Sequence, residues 1–157
     1  MIKILFICHG NICRSPMAEF MFKDEIQRRG VSSSYYVESA ATSSEEIWNG
    51  IGNPVYPPAR KILSEHGISC EGKRARLLVK SDYERFDHII GMDEMNRRNM
   101  LRILGGDPEG KVSLLMDYTD RPRSVADPWY TGDFQTAYDD IKEGIEGFLH
   151  QQASSCV

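Results

Sequence analysis

Five of the six positions from Ile2 to Ile7 (IKILFI) are apolar. A short continuous run of this kind predicts a strand buried on both faces of a sheet. The period then changes. From Pro16 to Arg29 the apolar residues Met17, Phe20, Met21 and Ile26 recur at helical spacing, with a proline near the first helical position, Arg28 and Arg29 in the last turn and Gly30 as a stop. The same alternation continues along the chain. Tyr35 to Glu38 reads as a second strand, Ala59 to Glu65 as a helix ended by Gly67, Phe86 to Met92 as a third strand and Glu94 to Leu104 as a helix running into GGDPEG. Val112 to Met116 reads as a fourth strand. Phe134 to Leu149 is predicted as a long amphipathic helix with Phe134, Ala137, Tyr138, Ile141, Ile145, Phe148 and Leu149 on one stripe. Residues 53–58 and 121–128, which carry prolines, are expected to be loops.

Strands alternating with helices predict an α/β fold: a four-stranded, parallel, open, Rossmann-like sheet with helices on both faces. At 157 residues the chain is long enough to form one domain, 1–157, and to remove roughly 70% of its unfolded surface from water without disulfides. In such sheets ligands bind beyond the carboxyl ends of the strands. That position is occupied by Cys8-His9-Gly10-Asn11-Ile12-Cys13-Arg14-Ser15, directly behind the first strand and ahead of the first helix.

The composition of this turn suits a phosphate-binding loop. Gly10 permits a close backbone approach, the loop amides and the helix start supply N–H donors, and Arg14 offers a planar fork matched to phosphate oxygens. Neither the G-x-x-x-x-G-K-[ST] nor the G-x-G-x-x-G nucleotide pattern is present. A cysteine stands where a phosphate would sit. The thiolate is the nucleophilic form of cysteine, and inward amides, a guanidinium and a Ser15 hydroxyl all favour a negative sulfur. They would do so again when that sulfur leaves in the second of two displacements. Taken alone, Cys-x5-Arg is more often a buried structural cysteine than a catalytic one; the preceding strand, Gly10, Ser15 and the following helix reverse that preference. A zinc site is disfavoured, since Cys8 and Cys13 lack a second ligand pair at usable spacing.

The formal net charge of −4 argues against a nucleic-acid or anionic-membrane partner. No stretch reaches the ~20 apolar residues of a bilayer span. MIKILFIC lacks a basic n-region, and Cys156 is penultimate rather than part of a prenylation box. The four irregularly spaced cysteines, Cys8, Cys13, Cys70 and Cys156, fit a reducing compartment, so a cytoplasmic protein is expected.

The loop Cys8 to Ser15 resembles the C-x-G-N-x-C-R-S loop of the low-molecular-weight protein tyrosine phosphatases, and Asp127-Pro128-Trp129-Tyr130 resembles that family's D-P-[YW]-[YW] loop. The resemblance covers nearly the whole chain. It implies that Cys8 attacks phosphorus, Arg14 clamps the phosphoryl oxygens and Asp127 serves as acid and then base. His9, Gly10, Asn11, Ile12, Cys13 and Ser15 would complete the loop, with Asn11 held in a polar network that includes Ser39 and His66. Trp48, Asn49, Trp129 and Tyr130 would wall a crevice for an aromatic ring. Cys13 would correspond to the second loop cysteine, able to form a reversible disulfide with Cys8. Neither metal nor cofactor is implied. The implied partners are phosphotyrosine proteins or small aryl phosphates, with phosphate-like oxyanions as inhibitors. Of the readings that share the fold, a protein arginine phosphatase is the rival and Ile12 argues for tyrosine. An arsenate reductase would need further cysteines between Cys70 and Cys156, and a non-catalytic phosphate-binding module would need neither Cys8 nor Asp127.

Overall fold

The structure, a computed structural model, describes residues 1–155; Cys156 lies outside them. Strands β1 (Ile2–Cys8), β2 (Tyr35–Ala41), β5 (His88–Gly91) and β6 (Val112–Leu114) form one parallel sheet in the order β2-β1-β5-β6. β1 is central. Its register runs from Ile2 opposite Tyr35 to Cys8 opposite Ala41 on one side, and from Ile4 opposite His88 to Ile7 opposite Gly91 on the other.

Successive side chains of a strand point to opposite faces, and β1 divides accordingly. Ile4, Phe6 and Cys8 join the larger core with α1 (Arg14–Arg28), α2 (Pro57–Glu65) and α6 (Phe134–Ser155). Phe22 anchors that layer, its ring 5.8 Å from both Phe6 and Phe148. Leu5 and Ile7 point the other way, into a smaller core with Leu78, Phe86, Met100 and Leu104 around α3 (Asp82–Arg85) and α4 (Glu94–Leu104). Both faces of the sheet are therefore covered.

Several boundaries differ from the sequence reading, each for a local reason. α1 begins at Arg14 rather than Pro16, because Met17 N already bonds Cys13 O; the proline sits in the first turn, where its missing N–H costs no helical bond. Residues 53–58 are not wholly loop, since Pro57 and Pro58 open α2 in the same way. β2 runs on to Ala41, whereas β5 is only His88–Gly91. β6 stops at Leu114, and Leu115 and Met116 enter the core from a 3-10 turn, so their apolar character does not signify strand. α6 extends to Ser155. Pro128 belongs to a short helix, α5 (Pro128–Thr131), capped by Asp127.

A small antiparallel hairpin, β3 (Ile47–Trp48) with β4 (Ile51–Gly52), was not evident from two-residue strands. Asn49 (φ 51°) and Gly50 (φ 77°) make its turn, the backbone signs of a tight hairpin connection. The base of the hairpin is pressed onto the body at Gly52, where a Cβ would come within 1.9 Å of Ala75 O.

Candidate active site

The loop between β1 and α1 is shaped by one buried asparagine. Asn11 adopts φ 57°, in the left-handed region that asparagine enters more readily than most side chains. Its Oδ1 accepts from Arg76 N at 3.1 Å, which orients the amide, and its Nδ2 donates to Ser15 Oγ at 2.8 Å and Ser39 Oγ at 2.9 Å. Ser39 in turn donates to Glu19 Oε1 at 2.5 Å. Glu19 is buried and balanced by Lys23 Nζ at 2.6 Å and Lys73 Nζ at 3.4 Å. Lys73 also donates to Ser39 O at 2.9 Å. Ser39 thus spends its single proton on Glu19, and Ser15 accepts from Asn11. Ser15 Oγ lies 3.0 Å from Cys8 Sγ, and toward an ionised sulfur, which has no proton, the hydroxyl must donate.

His66 does not take part in this network, contrary to the expectation from resemblance. It stands exposed at the end of α2, stacked on Tyr138 with ring centroids 4.1 Å apart. The cation beside Ser39 is Lys73, partly buried, whose ammonium is pushed below the usual lysine range by desolvation, with Glu19 opposing that shift. Lys73, Glu19 and Arg76 were missed because nothing in their sequence spacing ties them to Asn11; only the crossing of β2 and the 73–76 segment brings them together.

Arg14 is the first residue of α1 and is almost wholly buried. Its Nη1 donates to Val125 O at 3.0 Å, and its Nη2 donates to Asp93 Oδ2 at 2.9 Å and Asp127 Oδ2 at 3.4 Å. Asp93, immediately beyond β5, was another omission. It caps α4 by accepting from Asn96 N, while Asn96 Oδ1 accepts from Asp93 N, so the carboxylate that steers Arg14 is itself fixed at both ends. Asp127 lies 113 residues from Arg14 in sequence, and its other oxygen accepts from Trp129 N at 3.1 Å. Asp127 therefore faces the mouth of the loop from the short helix that follows it.

These groups converge on a crevice of about 410 Å³ that reaches from Cys8 and Arg14 to the surface. Within the loop the two cysteines differ in setting. Burial, followed by the negative charges of Cys8 and Asp127, pushes the Cys13 thiol up to about 12, so at neutral pH it remains protonated. Ile12 packs with Cys13 and Ala75, and its carbonyl accepts from Tyr56 N. His9 turns outward to Glu45, Nε2 to Oε2 3.1 Å.

Trp129 and Tyr130 line the crevice as expected, Trp129 resting 5.1 Å from the Tyr56 ring. Trp48 and Asn49 do not. They occupy the hairpin tip, where Trp48 is 73% exposed and Asn49 turns the chain. The residues just before the hairpin, Glu45 and Glu46, form that wall instead, and Met95 and Asn99 of α4 form part of the wall beside Asp93.

Known proteins resemble this chain over nearly its whole length. The family model described as low molecular weight phosphotyrosine protein phosphatase matches residues 3–155. The low molecular weight protein-tyrosine-phosphatase YfkJ of Bacillus subtilis is 38% identical over 95% of this chain and 94% of its own length. Its crystal structure superposes with a TM-score of 0.91 at 36% identity, covering 99% of this chain and 96% of that one. The human low molecular weight phosphotyrosine protein phosphatase is 35% identical over 95% of this chain and 94% of its own length. The crystal structure of DARP, a Drosophila arginine phosphatase, also superposes, with a TM-score of 0.84 at 31% identity over 96% and 98% of the two chains. This chain is a member of the low-molecular-weight phosphotyrosine protein phosphatase family.

Proposed function

We propose that the protein hydrolyses aryl phosphate monoesters, phosphotyrosine above all, through a phosphocysteine at Cys8. The observation that carries this reading is the meeting of Cys8, Arg14 and Asp127 in one crevice from opposite parts of the chain. In the first step the Cys8 thiolate attacks phosphorus and the bond from phosphorus to the aryl oxygen breaks. Asp127, in its protonated form, gives that oxygen its proton, so a phenol departs rather than a phenolate. Arg14 and the loop amides stabilise the charge on the equatorial oxygens, which is the largest electrostatic contribution available to the site. In the second step Asp127 takes a proton from water, the water oxygen attacks phosphorus and the S–P bond breaks. Inorganic phosphate leaves, and Ser15 donates to the sulfur that receives the electron pair.

The aromatic side chains of Trp129 and Tyr130 along the crevice support an aryl substrate over a short alkyl one. Cys13, held as a thiol beside the nucleophile, suits a reversible disulfide with Cys8 under oxidation. The free, buried thiols of Cys8, Cys13 and Cys70 support the reducing, cytoplasmic setting expected from composition. The likeness to the Drosophila arginine phosphatase keeps phosphoarginine as the second substrate to assay.

The test compares phosphotyrosine, phosphoserine and phosphoarginine peptides at equal concentration, with wild type, Cys8→Ser and Asp127→Ala. Phosphotyrosine is expected to give the highest kcat/KM, with Cys8→Ser inactive. Turnover that survives Cys8→Ser would sink the cysteine mechanism, and a preference for phosphoarginine would reassign the substrate.

A further inference from the structure

The crevice holds an unbalanced charge at its mouth. Four carboxylates line it, Glu45, Glu46, Asp93 and Asp127, against the guanidinium of Arg14 and the imidazole of His9. Asp93 and Asp127 are drawn inward onto the buried Arg14, the group that would face the phosphoryl oxygens. Glu45 and Glu46 are different. Glu45 is 69% exposed at the side chain, and its carboxylate meets the imidazole of His9, itself half in solvent, at 3.1 Å. Glu46 packs its stem toward Gly10, whose Cβ would lie 3.2 Å from Glu46 Cγ, and accepts from the neutral Asn53 amide at 2.7 Å. Among the described residues neither has a lysine or arginine within ion-pair distance.

Resting on the phosphotyrosine reading, we infer that Glu45 and Glu46 form an acidic docking rim that selects phosphotyrosines flanked by lysine or arginine. A phosphotyrosine seated on the loop threads its ring past this wall, so the flanking residues of the peptide leave the crevice alongside the two carboxylates. A basic flank brings a cation to two carboxylates that, among the described residues, have no lysine or arginine partner, and an acidic flank brings like charges together at short range. Complementarity of this sort acts chiefly on encounter and partner choice and weakens with salt. The cavity and the nucleophile below it define where the ligand sits; the two glutamates define which ligand.

Two phosphotyrosine peptides of equal length, one with lysine and one with glutamate on both sides of the phosphorylated residue, test the inference alongside para-nitrophenyl phosphate. At low ionic strength kcat/KM is expected to favour the lysine peptide by about three- to tenfold, the scale of one or two exposed charge contacts. The ratio should shrink as salt is added, fall toward one in E45Q/E46Q and invert in E45K. Equal rates for the two peptides, or a ratio that survives in E45Q/E46Q, would overturn the inference while leaving the phosphatase reading intact. Failure to turn over para-nitrophenyl phosphate and both peptides would overturn both.

Discussion

Replacing Asn11 by alanine removes the hub of the loop, and the structure sets the size of the effect. Three side-chain hydrogen bonds disappear, to Ser15, Ser39 and Arg76 N. Each such bond contributes about 1 kcal/mol net, and more where a buried partner is left unsatisfied. Alanine at φ 57° adds roughly 1–2 kcal/mol of backbone cost. The total is about 4 kcal/mol, within a range of about 3 to 6, against a whole-domain stability of roughly 5–15 kcal/mol. For a chain of this length that corresponds to a fall in Tm of about 8–16 °C. Asn11→Gly separates the contributions, since it loses the same bonds without the left-handed penalty and should be about 1 kcal/mol less destabilised than Asn11→Ala. Urea unfolding gives both stabilities, and hydrolysis of para-nitrophenyl phosphate reports the loop, where at least a tenfold loss of kcat/KM is expected. A change under about 1 kcal/mol with unaltered kinetics would refute the view that Asn11 holds the loop in shape.

Other consequences follow from the same geometry. Brief iodoacetamide treatment at neutral pH should modify Cys8 and spare Cys13, whose thiol stays protonated until about pH 12; peptide mapping that found Cys13 labelled as fast would contradict its setting. Gly147→Ala would place a Cβ about 2.0 Å from Tyr118 O, where α6 meets the 3-10 turn, and should destabilise by about 1–3 kcal/mol despite alanine's better helix propensity. His88, edge-on to Phe148 at 5.1 Å, is held below the ordinary histidine range by burial, which Asp87 only partly opposes. The unfolded chain then takes up this proton first, so stability falls as pH drops from about 6.5 through the lowered value. His88→Gln should flatten that part of the curve relative to wild type, and an unchanged slope would count against the assignment.

The parts of the molecule that were legible in the sequence are those carried by local pattern. IKILFI is apolar because both faces of β1 are covered, and Phe134 to Leu149 keeps one stripe because only one face of α6 packs against the sheet layer. Cys8 to Ser15 could be read because eight consecutive positions serve one phosphate-binding turn. The errors arose where local pattern and tertiary placement part. Leu115 and Met116 are as apolar as a strand but are buried by a turn. His66 is a polar residue near the right stretch of chain, yet the end of α2 aims it at Tyr138, and Lys73, seven residues on, takes the place beside Ser39. Trp48 looks like an aromatic wall until a two-residue turn at Asn49 and Gly50 carries it to a hairpin tip. Asp93 reads as an ordinary helix cap, which it is; its second task of holding Arg14 depends on β5 lying beside β1.

On the proposed mechanism, phosphate passes through the sulfur of Cys8. Rapid-quench mass spectrometry of the enzyme during turnover of para-nitrophenyl phosphate tests it without reference to any physiological substrate. A phosphoryl group on Cys8 is expected to appear with the first burst of nitrophenol, to accumulate further when Asp127→Ala slows the attack of water, and to be absent in Cys8→Ser. Steady turnover with Cys8 unmodified at every quench time, or a phosphoryl group carried on another residue, would contradict it.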